Sequence, residues 1–144
     1  MRLLALLLLV GVHRADLDAV AGAIRGGPHP VTREVVAAII EHESRGNPHA
    51  CREDRGGSSR GLMQIWHPRS RCTAADDARF DAEYSAGQNV GIALRLLAAQ
   101  RAWHVQHCRH PHDPLEHYAG RGPDARRFAR DIRRRARQLR AKKG

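Results

Sequence analysis

Two acids, Glu41 and Glu43, stand two positions apart in the stretch AAIIEHESRGNPHA, residues 37–50, where an apolar run meets a turn. On a helical wheel Val36, Ile39, Ile40 and Glu43 fall at i, i+3, i+4 and i+7 and share one face. Glu41 follows Glu34, Ala37 and Ala38 on another side and is the expected solvated acid. A carboxyl that continues an apolar stripe is costly to ionise, because burial disfavours its charged form. Its pKa rises, which is what a general acid working near neutral pH needs. The competing reading of Glu43 is a helix-end carboxylate turned to water.

The helix carrying these acids should start at Thr32, a good N-cap type, with Glu34 in its first turn. It should end near Gly46-Asn47-Pro48. Ahead of it, ADLDAVAGAIRGG (15–27) reads as a short helix stopped by Gly26-Gly27, and PHPVT as a hinge. HACREDRGGSSR (49–60) reads as loop, GLMQIW (61–66) as an apolar patch opening a helix or turn, and 67–82 as irregular. SAGQNVGIALRLLAAQRAW (85–103) carries the clearest helical spacing, in Val90, Ala93, Leu94, Leu97 and Ala98. A loop rich in His and Pro follows. A last helix starts at Asp124, with Ala125, Phe128, Ile132, Ala136 and Leu139 on one side and arginines over most of the rest. Strand signals are weak everywhere, so the fold class is mainly α.

The 144 residues suit one domain. With 42% hydrophobic and only 4% aromatic residues, the core must come from Leu, Ile, Val and Ala. The formal net charge is +10, mostly arginine, since Lys142 and Lys143 are the only lysines. That charge favours polyanionic surfaces: nucleic acid, anionic lipid or an acidic wall polymer. After Met1-Arg2, the apolar run Leu3–Val12 reads as a secretory signal segment. It is shorter than the roughly 20 residues that span a membrane. Residues 1–15 are accordingly read as a leader and 16–144 as the domain. The competing reading is a buried N-terminal helix, and no small-x-small cleavage site stands near Ala15. In an exported chain Cys51, Cys72 and Cys108 allow one disulfide and one free thiol, with the pairing open.

ESRGNPHA followed by GSSRGLMQIW resembles the lytic transglycosylase (SLT) domain family related to goose-type lysozyme. Glu43-Ser44, Asn47-Pro48-His49-Ala50 and Gly61-Leu62-Met63-Gln64 match its first two motifs in order. Asn89-Val90-Gly91 matches its Asn-opened helix, and Tyr118 with Gly120 matches a degraded Tyr-Asn-x-Gly element. The resemblance covers residues 32–132. It implies a lysozyme-like helical domain with a substrate cleft. It also implies cleavage of peptidoglycan at the β-1,4 bond between N-acetylmuramic acid and N-acetylglucosamine. By resemblance Glu43 is the catalytic acid and base, while Ser44, Met63, Gln64, Tyr118 and Asn89 contact the glycan. Enzymes of this kind lack a carboxylate nucleophile and form 1,6-anhydro ends without consuming water.

The sequence departs from the family where Ala119 replaces the expected Asn. Asp54 stands where goose-type lysozymes carry an acid ahead of Gly-Leu-Met-Gln. As a second acid it would make the enzyme a muramidase, provided the two carboxyls lie about 6.5–9.5 Å apart. The other reading of Asp54 is a loop acid paired with Arg55 or Arg52. His104, His107, Cys108, His110, His112 and His117 are dense but match no established ligand spacing, so no metal and no cofactor are expected. The arginine-rich last helix lacks a recognition motif, so specific nucleic-acid binding is not expected. A basic nucleic-acid- or wall-binding module without catalysis is the rival of another class. Expected partners are peptidoglycan strands, with anionic wall polymers or phospholipid as further candidates. The chain is read as an exported monomer of bacterial or phage origin, acting in the periplasm, the cell envelope or outside the cell.

Overall fold

The computed structural model describes residues 2–27, 30–81, 85–108, 113–120 and 122–142. Its helices are α1 (Leu3–Leu9), α2 (Leu17–Arg25), α3 (Arg33–Ser44), α4 (Ala74–Asp81), α5 (Ala86–His107), α6 (Pro114–Tyr118) and α7 (Pro123–Ala141). Strands β1 (Cys51–Asp54), β2 (Gly57–Arg60) and β3 (Ile65–Pro68) form an antiparallel sheet in the order β1-β2-β3. The molecule is mainly helical, and the lysozyme-like class expected from the sequence holds.

α3 is the axis of the core. Val35, Val36, Ala37, Ala38, Ile39 and Ile40 are all buried, so the helix is enclosed on every side and not on one stripe. α7 packs along α3, and α1 packs beside it. Thr32 starts α3 with its carbonyl, which accepts from Val35 N at 3.0 Å and Val36 N at 3.1 Å. Its hydroxyl makes no capping bond, contrary to the expectation from its residue type.

The segment read as a leader lies against this core. Leu3, Leu6, Leu7, Val10 and Val12 are buried and belong to the same hydrophobic cluster as α3. Gly11 and Gly46 touch backbone to backbone. A Cβ on Gly46 would overlap the carbonyl of Gly11, and one on Gly11 would lie 2.5 Å from the carbonyl oxygen of Arg45. Two glycines are needed here because two chain passages cross with no space between them.

The sheet corrects the loop expected at 49–60, while residues 61–64 form the turn that was one of the two expectations for 61–66, and Ile65 and Trp66 begin β3. β1 and β2 are joined by the two-residue turn Arg55-Gly56, with Asp54 opposite Gly57. β2 is buried along its whole length although it reads Gly-Ser-Ser-Arg. Two of its polar side chains have partners: Ser58 Oγ lies 2.6 Å from Ser70 Oγ, and Arg60 donates through its two Nη atoms to Asp77 and to the carbonyl of Arg71. The disulfide Cys51–Cys72 ties the start of β1 to the segment after β3. α4 and α6 were not visible in the sequence pattern.

Candidate active site

Glu43 occupies the last turn of α3, and its side chain is 9% exposed. Burial raises its pKa, and the nearby charges of His42 and Arg52 pull in the opposite direction. The negative end of the helix dipole also opposes a carboxylate at this position. His42 Nδ1 lies 3.9 Å from Oε1, and Arg52 Nη2 lies 3.9 Å from Oε2. A carboxyl kept protonated above its ordinary range, yet able to ionise beside cations, can both give and take a proton.

The chain reverses immediately after this turn. Arg45 and Gly46 both take left-handed conformations, at φ 54° and 79°. A non-glycine residue there costs roughly 1–2 kcal/mol, and the bend is held by the bonds of Ser44. Its hydroxyl donates to the carbonyl of Ile40 at 3.0 Å and accepts from Gly46 N at 3.2 Å. Ser44, which the resemblance implied as a glycan contact, is a buried cap of the helix end with its hydroxyl bonded to backbone.

The Gly-Leu-Met-Gln segment forms the turn between β2 and β3. Gly61 (φ 79°) lies against Asn89, with no space for a side chain between them. Asn89 is buried; its amide donates to the carbonyl of Arg60 at 3.0 Å and accepts from Met63 N at 2.9 Å. Implied by the resemblance as a glycan contact, it braces the turn from α5 through these backbone bonds. Met63 is also buried, so its side chain does not line a surface. Its carbonyl accepts a hydrogen bond from the hydroxyl of Tyr118 on α6. Burial and the charge of Glu43 raise the Tyr118 pKa, so the phenol stays neutral. Gln64 is half-buried at a positive φ of 50°, and its Nε2 donates to the carbonyls of Ala50 and Gly61, each at 3.0 Å. The motif residues thus bind one another as a scaffold, and Tyr118 links that scaffold to Glu43.

Asp54 ends β1 in the open, and its Oδ1 accepts from Arg55 N at 2.6 Å. The β1 side chain that reaches Glu43 is Arg52. Glu41 is not the solvated acid expected of it. Its carboxylate is 30% exposed and takes a bidentate grip from Arg135 of α7, at 2.6 and 2.7 Å. Glu34, placed on the same solvated side, is buried beside Arg33 at 3.1 Å. Both corrections have one cause, since α7 covers the side of α3 that the wheel left open. Sequence reasoning missed Arg135, because no local pattern announces a pairing across 94 residues; it also missed His42 beside Glu43 and assigned Arg52 to Asp54, when it stands near Glu43.

Among the described residues, no group of three or more His, Cys, Asp or Glu side chains could hold a metal ion. His110 and His112 of the histidine-rich stretch lie outside the described residues. Cys108 is a free thiol 3.0 Å from His104 Nδ1.

The model of the family described as Transglycosylase SLT domain matches residues 28–102, which hold α3, the sheet and most of α5. No curated protein and no solved structure matches the chain.

Proposed function

The chain belongs to the transglycosylase SLT domain family, and from that premise we propose that it is a peptidoglycan lytic transglycosylase with Glu43 as its single catalytic acid and base. The observation that carries this reading is the burial of the Glu43 carboxyl at the end of α3, within electrostatic reach of Tyr118, whose hydroxyl donates to the Met63 carbonyl of the Gly-Leu-Met-Gln turn. Glu43 gives its proton to the glycosidic oxygen, and the C1–O4 bond breaks as N-acetylglucosamine leaves. The acetamido oxygen of the muramyl sugar bonds to C1 in place of a protein nucleophile. The Glu43 carboxylate then takes the proton of the muramyl 6-hydroxyl. That oxygen displaces the acetamido group at C1, which closes a 1,6-anhydro ring and restores the acid.

Tyr118 supports the site by holding the Met63 carbonyl, and Gln64 and Ser44 hold the two turns that flank Glu43. The outer arginines of α7, among them Arg126, Arg130 and Arg137, are exposed and suit attachment to anionic wall polymers. The enzyme acts outside the cytoplasmic membrane, where its substrate lies.

Mass spectrometry of the muropeptides released from purified sacculi tests the reading. Anhydro-muramyl ends that vanish with Glu43→Gln support it. Reducing ends, one water heavier and lost with Asp54→Asn, would assign hydrolysis by Glu43 and Asp54 instead.

A further inference from the structure

We propose that Arg52 is a positioning residue for Glu43: β1 carries its guanidinium to the Glu43 carboxyl, where it steadies the carboxylate left after proton transfer. The inference rests on the proposed role of Glu43. Arg52 Nη2 stands 3.9 Å from Glu43 Oε2, while His42 Nδ1 stands 3.9 Å from Oε1. Each carboxylate oxygen therefore faces one nitrogen-bearing side chain. At that distance neither is a hydrogen bond, so the protonated acid is free to aim its proton at a substrate. Once the proton leaves, the Arg52 guanidinium faces a new negative charge.

The strand holding Arg52 is fixed and the side chain is not. Cys51, its neighbour, is bound to Cys72, and Arg52 pairs across the sheet with Ser59. Ser59 belongs to the buried strand β2. By contrast the Arg52 side chain is 67% exposed. It can be changed without opening the core, and it can follow the carboxylate. The other groups facing Glu43 are defined. His42 lies on α3 itself and meets the edge of Phe128 of α7, with ring centroids 5.1 Å apart. Tyr118 comes from α6 and stays neutral. Of the cations at the site, Arg52 is charged at every working pH.

A cation beside a carboxyl stabilises the ionised form, so Arg52 makes Glu43 a stronger acid. Removing it should raise the Glu43 pKa by about half a unit to one unit, a shift kept small by solvent exposure. The test uses the full chain carrying ¹³C-labelled glutamate side chains, with Glu43→Gln identifying the Glu43 carboxyl signal. The Glu43 titration midpoint in Arg52→Gln should lie above that of the wild type by that amount, and Arg52→Lys should return part of the way. Added salt should raise the wild-type midpoint more than that of Arg52→Gln. Glycan cleavage needs the protonated acid, so the alkaline limb of its pH profile should move upward in parallel. Superimposable titrations of wild type and Arg52→Gln would overturn the proposal. A shifted titration in a chain that releases no glycan would leave the electrostatic role of Arg52 standing and remove the catalytic reading of Glu43.

Discussion

Deleting residues 1–15 tests whether α1 belongs to the catalytic domain. The deletion removes Leu3, Leu6, Leu7, Val10 and Val12 from the core. Burying each such side chain is worth about 1.5–3 kcal/mol. The conformational entropy regained by the deleted residues, about 1.5 kcal/mol each, is at least as large and cancels that term. Nothing offsets the exposure of the faces of α2 and α3 that α1 had covered. Exposing two or three such side chains on those faces is expected to cost roughly 5 kcal/mol, against a typical domain stability of about 5–15 kcal/mol. Differential scanning calorimetry of chains 1–144 and 16–144 should show a midpoint lower by more than about 10 °C in the shorter chain, or no transition at all. Cleavage should fall further than stability, because the Gly11–Gly46 contact backs the turn that follows Glu43. A shorter chain that melts within about 2 °C of the longer one and cleaves as fast would refute this reasoning. It would also leave residues 1–15 free to serve as a leader.

Glu43→Gln should lower glycan cleavage by about 10²–10⁴-fold, the contribution of a positioned general acid. It should also alter stability with a definite sign. The raised Glu43 pKa means that the native state holds a proton the unfolded chain has lost once pH exceeds the ordinary value near 4.5. Wild-type stability therefore falls as pH rises through that window, and Glu43→Gln removes this part of the slope. Parallel melting curves of both proteins from pH 4 to 8 should diverge, with the variant the more stable at the upper end. Tyr118→Phe leaves the carbonyl of Met63 without its buried donor and should cost about 1–3 kcal/mol in urea unfolding. Reducing the Cys51–Cys72 bond should cost roughly 3 kcal/mol by loop entropy across its 21-residue separation. The double Cys→Ser variant should melt like the reduced protein.

Helical phase placed Glu43 on the apolar stripe, where its side chain is buried, but it left Glu41 to solvent, and Glu41 is partly covered and paired with Arg135. What phase could not reveal is the cover itself: α7 shields Glu41 and Glu34 from a distant part of the chain. The sheet was hidden for another reason. Its strands read Cys-Arg-Glu-Asp, Gly-Ser-Ser-Arg and Ile-Trp-His-Pro, without apolar alternation, and they are held by hydroxyl pairs, Arg60 and a disulfide. The Arg55-Gly56 turn was the one local signal available. Asn89 and Ser44 carried motif identity, yet the same polar atoms that suit a sugar were already engaged with the backbone.

The grip of Arg135 on Glu41 also bears on the order in which the fold can close. A chain leaving a ribosome N-terminus first exposes α3 long before α7 emerges. Until residues 123–141 arrive, α3 lacks the partner that encloses its outer side, and non-local closure of this kind is slow. The end of α3 that carries Glu43 is therefore the part of the core that the order of synthesis encloses late.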